Sequence, residues 1–118
     1  MLKIYTSQYR YSGKNRLDIT VKSGNKIFAP TWNIVSKFKK GLMTKEEYTK
    51  EYYNLMRKSY KENRNRWDEL LNQDEVVLVC FCRAENFCHR YILAEILVKL
   101  GAEYKGEINP WQIANIIV

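Results

Sequence analysis

The run Glu75-Val76-Val77-Leu78-Val79-Cys80-Phe81-Cys82 constrains this chain more than any other segment. A stretch so apolar offers no polar face to water, so it reads as a strand covered on both sides, as at the centre of a parallel sheet. Further on, Ile92, Leu93, Ile96, Leu97 and Leu100 recur at helical spacing, and Gly101 stands where a helix commonly ends in a left-handed residue. Residues 102–108 then read as a returning strand, which makes 76–108 a strand-helix-strand unit.

The remainder fits around that unit. Leu2 and Ile4, with Tyr5 and Thr6, predict a first strand that runs into a polar, aromatic loop over 7–13. Leu17, Ile19 and Val21 alternate with polar residues, and Ser23-Gly24-Asn25 turns toward Ile27-Phe28, which predicts a small hairpin. Pro30 marks a break, a short helix is expected over 32–38, and Gly41 stops it. Thr44 and Glu47 form a capping box, and Tyr48, Tyr52, Leu55 and Met56 then repeat at helical spacing as a packing face. Residues 63–71 predict another helix with Trp67, Leu70 and Leu71 inward, and Pro110-Trp111 opens an apolar tail expected to pack as a helix. At 118 residues the chain has room for one core, so a single domain over 1–118 is expected. The expected fold is α/β: a compact Rossmann-like three-layer domain with a mainly parallel central sheet and flanking helices.

Composition limits the setting and the partners. No apolar run approaches the roughly 20 residues that cross a bilayer, and the opening residues are too polar for a signal peptide, so no membrane role is expected. Three cysteines, an odd number at 80, 82 and 88, do not close a disulfide framework, and thiols in a reducing cytoplasm are the expected state. The formal charge of +7 is uneven: residues 1–36 carry net +5, 37–66 net +6, and 67–118 net −4. Such a balance favours anionic partners, although Lys37, Lys39, Lys40, Lys45 and Lys50 are also what a solvated helix face carries.

The chemistry concentrates between Cys80 and Arg90, where the buried strand gives way to its crossover helix. Open α/β sheets bind ligands at such junctions, because strand ends and helix N-termini meet there. Asn86 is expected to cap the helix, placing Phe87, Cys88 and His89 in its first turn with the positive end of the dipole facing the crevice. Arg83 and Arg90 add full charges suited to a phosphate or carboxylate. His89, the one histidine, falls on the stripe of Leu93, Ile96 and Leu100 and points inward. It reads either as a hydrogen-bonded structural residue or as one that exchanges a proton with a ligand. Cys88 near His89 and Arg90 is a candidate thiolate nucleophile. Cys80, Cys82, Cys88 and His89 are of the residue types zinc takes, but Cys80 and Cys82 stand one residue apart on a strand face and no second CxxC exists, so no metal is expected, and no cofactor. Neither a GxGxxG fingerprint nor a P-loop is present.

With its strand ending in cysteine, a short loop and CHRYILAEIL opening a helix, this segment resembles the family called domain of unknown function 488. The opening IYTSQYRYSG is similar to that family's first strand and loop. The resemblance implies a Rossmann-like fold with Cys88, His89 and Arg90 at a cleft, and Tyr5, Thr6 and Ser7 at the opposing strand end. Cys82 departs from the acidic residue the resemblance leads one to expect.

Together these readings lead to an expected cytoplasmic protein of a bacterium or phage. It would bind a small phosphorylated ligand, nucleotide or nucleotide derivative, between the loop holding Thr6, Ser7, Tyr9, Tyr11 and Ser12 and the loop of 83–90. Arg83 and Arg90 would hold phosphate, Tyr9 or Tyr11 would stack on a base, and His89 or Cys88 would react in any hydrolysis or transfer. The alternative is a nucleic-acid-binding module using the basic surface of 37–66.

Overall fold

The computed structural model describes residues 1–81 and 87–110. Four strands, β1 (Lys3–Gln8), β2 (Arg16–Asp18), β3 (Glu75–Cys80) and β4 (Glu103–Ile108), form one sheet in the order β2-β3-β1-β4, every pair parallel. Four helices flank it among the described residues: α1 (Trp32–Lys39), α2 (Lys45–Glu62), α3 (Arg64–Leu71) and α4 (His89–Lys99). The architecture is the α/β one expected, a Rossmann-like three-layer arrangement. No helix among the described residues is long and apolar enough to cross a membrane.

β3 is buried along its whole length after Glu75, as its composition demands, and lies beside β1 with Thr6 opposite Leu78 and Gln8 opposite Cys80. Its even positions, Val76, Leu78 and Cys80, face the helices with Ile4, Tyr52, Met56, Trp67, Leu93 and Leu97. Val77 and Val79 face the other way, with Tyr5, Tyr11 and Ile108. From the neighbouring strands β1 and β3 the chain leaves in opposite directions, to β2 on one side and to β4 on the other. The first connection passes β3 and the second passes β1, so both neighbouring strands feed loops at their carboxyl ends, where open α/β sheets place ligands.

The expected hairpin of 17–21 with 27–28 does not form. β2 is instead a three-residue parallel strand on β3, extended by the Ile19 N–H donating to the Val79 carbonyl at 3.1 Å. Asp18 decides the outcome: its carboxylate accepts from the Thr20 N–H at 2.9 Å and the Ser23 hydroxyl at 2.7 Å, curling the chain before a second strand can start. Ile27 and Phe28 become a plug. The Phe28 ring meets Trp67 edge-on, the Tyr52 hydroxyl donates to the Phe28 carbonyl at 2.6 Å, and the Ser59 hydroxyl donates to the Ile27 carbonyl at 2.7 Å.

The capping box on α2 is formed as read, with Thr44 accepting from the Glu47 N–H and Glu47 accepting from the Thr44 N–H. At the other key helix the cap differs from expectation: Cys88 is the N-cap of α4, so the helix begins at His89 and Cys88 stands just before it. Asn86, the expected cap, lies outside the described residues, as do Cys82, Arg83 and the tail 111–118. Gly101, at φ +107°, ends α4 in the left-handed conformation its position implied.

β4 carries the one irregularity of the sheet. Ile4 pairs with Tyr104 but Tyr5 pairs with Gly106, so Lys105 is an extra residue in a β-bulge, and Gly106 supplies the φ of +121° this requires. In a regular strand Tyr104 and Glu107 would point to opposite faces, being three residues apart. The bulge puts both on the face of Ile4 and Thr6. There the Tyr104 hydroxyl meets Thr6 Oγ1 at 2.6 Å, and Glu107 receives Arg90 of α4 through Nη2 at 3.0 Å and Nε at 3.3 Å. The Arg90 side chain is wholly buried, and its Nη1 donates to Cys80 Sγ at 2.9 Å.

A guanidinium with no access to water needs its counter-charge. Glu107→Ala is expected to lower stability by about 3 kcal/mol, because it strands that charge in the interior. Urea unfolding followed by circular dichroism checks this, with Glu103→Ala at the exposed ion pair to Lys105 losing less than about 1 kcal/mol.

Candidate functional site

Beyond the carboxyl end of β3, between the C-terminus of α1, the first turn of α2 and the start of α4, lies a cavity of about 450 Å³. The local sequence explains each wall. The capping box starts α2 at Lys45 and so turns Tyr48 inward, the 18–25 turn presents Thr20 and Val21, and the N-cap at Cys88 aims Phe87 and His89 across the opening. Phe38, Tyr48 and Phe87 form an aromatic cluster with centroids 5.2 to 5.4 Å apart. Lys39 and Lys45 line the cavity too, Lys45 Nζ standing 6.0 Å from the centre of the Phe87 ring. Cys80, Cys88 and His89 complete the lining.

His89 is 6% exposed and held at both nitrogens. Nε2 lies 2.6 Å from the Ile19 carbonyl, which can only accept, so Nε2 carries the proton. Nδ1 is thereby left with its lone pair directed toward the Tyr48 hydroxyl at 3.5 Å and Cys88 Sγ at 3.8 Å. Burial, reinforced by the Arg90 charge and opposed by the Ile19 bond, lowers its pKa to about 4, so the ring is neutral at physiological pH. The sulfurs of Cys80 and Cys88 are joined as a disulfide beside it, with their Cα atoms 7.8 Å apart, so two of the three cysteines are not the free thiols expected from their odd number: the fold brings the end of β3 against the N-cap of α4.

The residues singled out from the sequence are divided by this geometry. Cys88 and His89 line the cavity as expected. Arg90 does not face an open hollow: its guanidinium is plugged into the interior against Glu107 and Cys80, because the bulge brings a carboxylate to meet it. Thr6 and Ser7 are buried within the sheet, Thr6 on Tyr104 and Ser7 donating to the Ile108 carbonyl at 2.7 Å. Tyr11 is buried on the reverse face and donates to the Lys14 carbonyl at 2.8 Å. Tyr9 is stacked on Phe81 at 4.3 Å between ring centres, with Arg16 over its ring, and Ser12 is exposed. None of these six lines the cavity; Tyr9 reaches it only through Phe81. Arg83 lies outside the described residues.

Conversely, the cavity takes residues to which the sequence assigns other places: Thr20 in the expected hairpin, Phe38 at the end of the short helix, Tyr48 on a packing face, and Lys39 and Lys45 on a solvated face. One signal marked Lys45: it directly follows the N-cap of α2, where a cation opposes the helix dipole. The one-residue spacing of Cys80 and Cys82 argues against a metal set, whereas the fold sets Cys88 and His89 against Cys80.

The family described as the active DUF488-N3 subclade, DUF488-N3a, matches residues 1–101. No curated protein and no solved structure matches the chain.

A buried histidine held neutral makes stability depend on acid. Its folded-state pKa lies below the unfolded value of about 6.5, so the unfolded chain binds the proton first and stability falls as pH drops from about 6.5 to about 4. The expected loss is about 3 kcal/mol across that window, read by urea unfolding in EDTA. His89→Gln, which keeps a donor for the Ile19 carbonyl but does not titrate, is expected to flatten that slope.

Proposed function

The chain belongs to the DUF488-N3a family, and from its cavity we propose that it binds a small phosphorylated ligand of the nucleotide class at the carboxyl end of β3. The observation that carries this reading is the pairing of an aromatic wall with two cations in one concavity. Phe38, Tyr48 and Phe87 offer ring faces and edges to a planar base, a contact worth about 1–3 kcal/mol per base. Lys39 and Lys45 stand on the same cavity, where ammonium groups meet a phosphate by charge-assisted hydrogen bonds. A volume of about 450 Å³ falls within the usual range for small-ligand sites.

This reading moves the phosphate from Arg90 to the two lysines and the base from Tyr9 or Tyr11 to the Phe38 and Phe87 side. Cys88 and His89 stay at the ligand. His89 Nδ1, neutral and lone-paired, accepts a hydrogen bond from a base edge or hydroxyl, and with Cys88 Sγ 3.8 Å away it is the place where hydrolysis or transfer would begin. The positive end of α4, opening at Cys88, adds a favourable field for an anion.

A thermal-shift screen of nucleoside monophosphates, diphosphates and cyclic or ribosylated derivatives tests the proposal. At least one is expected to raise the Tm, and Lys45→Ala or Phe87→Ala is expected to weaken its binding roughly tenfold, the loss of about 1.4 kcal/mol. Lys58→Ala, on the exposed side of α2, leaves binding unchanged. No stabilisation by any nucleotide, together with steeply salt-dependent binding of single-stranded DNA that survives Phe87→Ala, would overturn the proposal in favour of the basic surface of 37–66.

A further inference from the structure

Three donor atoms of kinds that bind soft metals converge on the lining of this cavity. The ligating atoms of Cys80, Cys88 and His89 all lie within 4.8 Å of one another, and all three residues are buried. Cys80 ends β3, Cys88 is the N-cap of α4 and His89 its first residue, so the meeting of the strand with the helix start is a product of the fold rather than of sequence spacing.

From this cluster we propose that Cys80, Cys88 and His89 form a three-ligand site for zinc, with the fourth position open to the cavity. Two sulfurs and an imidazole are a zinc donor set, and three protein ligands with one open position is the pattern of zinc centres that act on substrates. The imidazole is already oriented for it. Nε2–H donates to the Ile19 carbonyl at 2.6 Å, which fixes the tautomer and leaves Nδ1 beside the sulfurs, as outer partners of ligating histidines do. Arg90 Nη1, 2.9 Å from Cys80 Sγ, places a positive charge beside one of the sulfurs.

The site belongs to the reduced chain, because the structure joins the two sulfurs and a metal takes them only as thiolates. A disulfide accepts Cα separations of about 4.4–6.8 Å, and here the Cα atoms stand 7.8 Å apart. Two thiolates on one tetrahedral zinc, with arms of about 2.3 Å, lie roughly 3.8 Å from each other, which suits a wider pair. Binding converts two thiols to thiolates and releases two protons to solvent, with no change of oxidation state. The inference does not rest on the nucleotide reading, since the donors are the chain's own; with zinc bound, His89 Nδ1 is on the metal instead of accepting from the nucleotide, which is then held by the aromatic wall and the two lysines, and a ligand oxygen or a water takes the fourth position.

The test uses the full chain, reduced and then freed of reductant and metal. Cobalt(II) is expected to bind one per chain with the intense near-ultraviolet sulfur-to-cobalt band and the visible bands of tetrahedral geometry, and zinc to displace it. Zinc is also expected to shield Cys80 and Cys88 of the unmutated chain from iodoacetamide, as mapped by mass spectrometry, so the result does not depend on any variant folding. Cys88→Ser should abolish the sulfur band, and His89→Asn should weaken zinc binding at least tenfold. Absence of cobalt uptake by the reduced chain, shielding that excludes Cys80 or Cys88, or a sulfur band that survives Cys88→Ser overturns the proposal. None of these readouts involves a nucleotide, so failure here and failure of the ligand screen are separate results.

Discussion

The wholly buried guanidinium of Arg90 is the constraint around which the cavity end of this fold is organised. An unshielded charge in the interior costs several kcal/mol, so its partners have to be placed before the helix that bears it can dock. Glu107 of β4, Cys80 of β3 and the Tyr91 hydroxyl provide them. One side chain thereby ties the start of α4 to a central strand and to the strand that α4 itself leads into. Because Cys88 and His89 immediately precede Arg90, the fixing of that guanidinium also fixes their position.

A second set of ties secures the other side of the cavity. The 18–29 segment has little regular structure, yet its carbonyls are claimed by distant elements: Ile19 by His89, Ile27 by Ser59, and Phe28 by Tyr52. Ser59 also accepts from the Trp67 indole N–H at 3.1 Å, linking α2 to α3 beneath the same segment. Helix α2 therefore contributes Tyr48 to the cavity at one end and holds the loop opposite His89 with the rest of its length. The hollow is what remains between two well-anchored walls, and this is why an apolar cluster can stay open there rather than collapse.

Much of this was legible in the residues. The unbroken run of β3, the stripe and terminal glycine of α4, and the Thr44–Glu47 box each carry a local physical signal strong enough to survive packing. His89 pointing inward followed from helical spacing alone. What escaped was non-local. Leu17, Ile19 and Val21 have a strand's alternation, but the Asp18 side chain captures the following N–H and hydroxyl and ends the strand. Arg90 looked like an anion ligand because it stands at a helix start beyond a buried strand, and its partner is 17 residues away across a bulge. The meeting of Cys80 with Cys88 likewise depends on where α4 docks beside the end of β3, which spacing does not encode.

Among the described strands, β4 is at the border of the sheet, and its outer row of peptide groups is the kind of surface on which another chain's strand can add. The extra residue at Lys105 breaks the repeat of that row, and the lysine and Glu103 beside it are charged. A foreign strand would find neither a continuous ladder nor an apolar rim. The same irregularity that swings a carboxylate inward to neutralise Arg90 thus guards the exposed margin against aggregation, so that repairing it to ideal geometry would sacrifice solubility and the interior ion pair together.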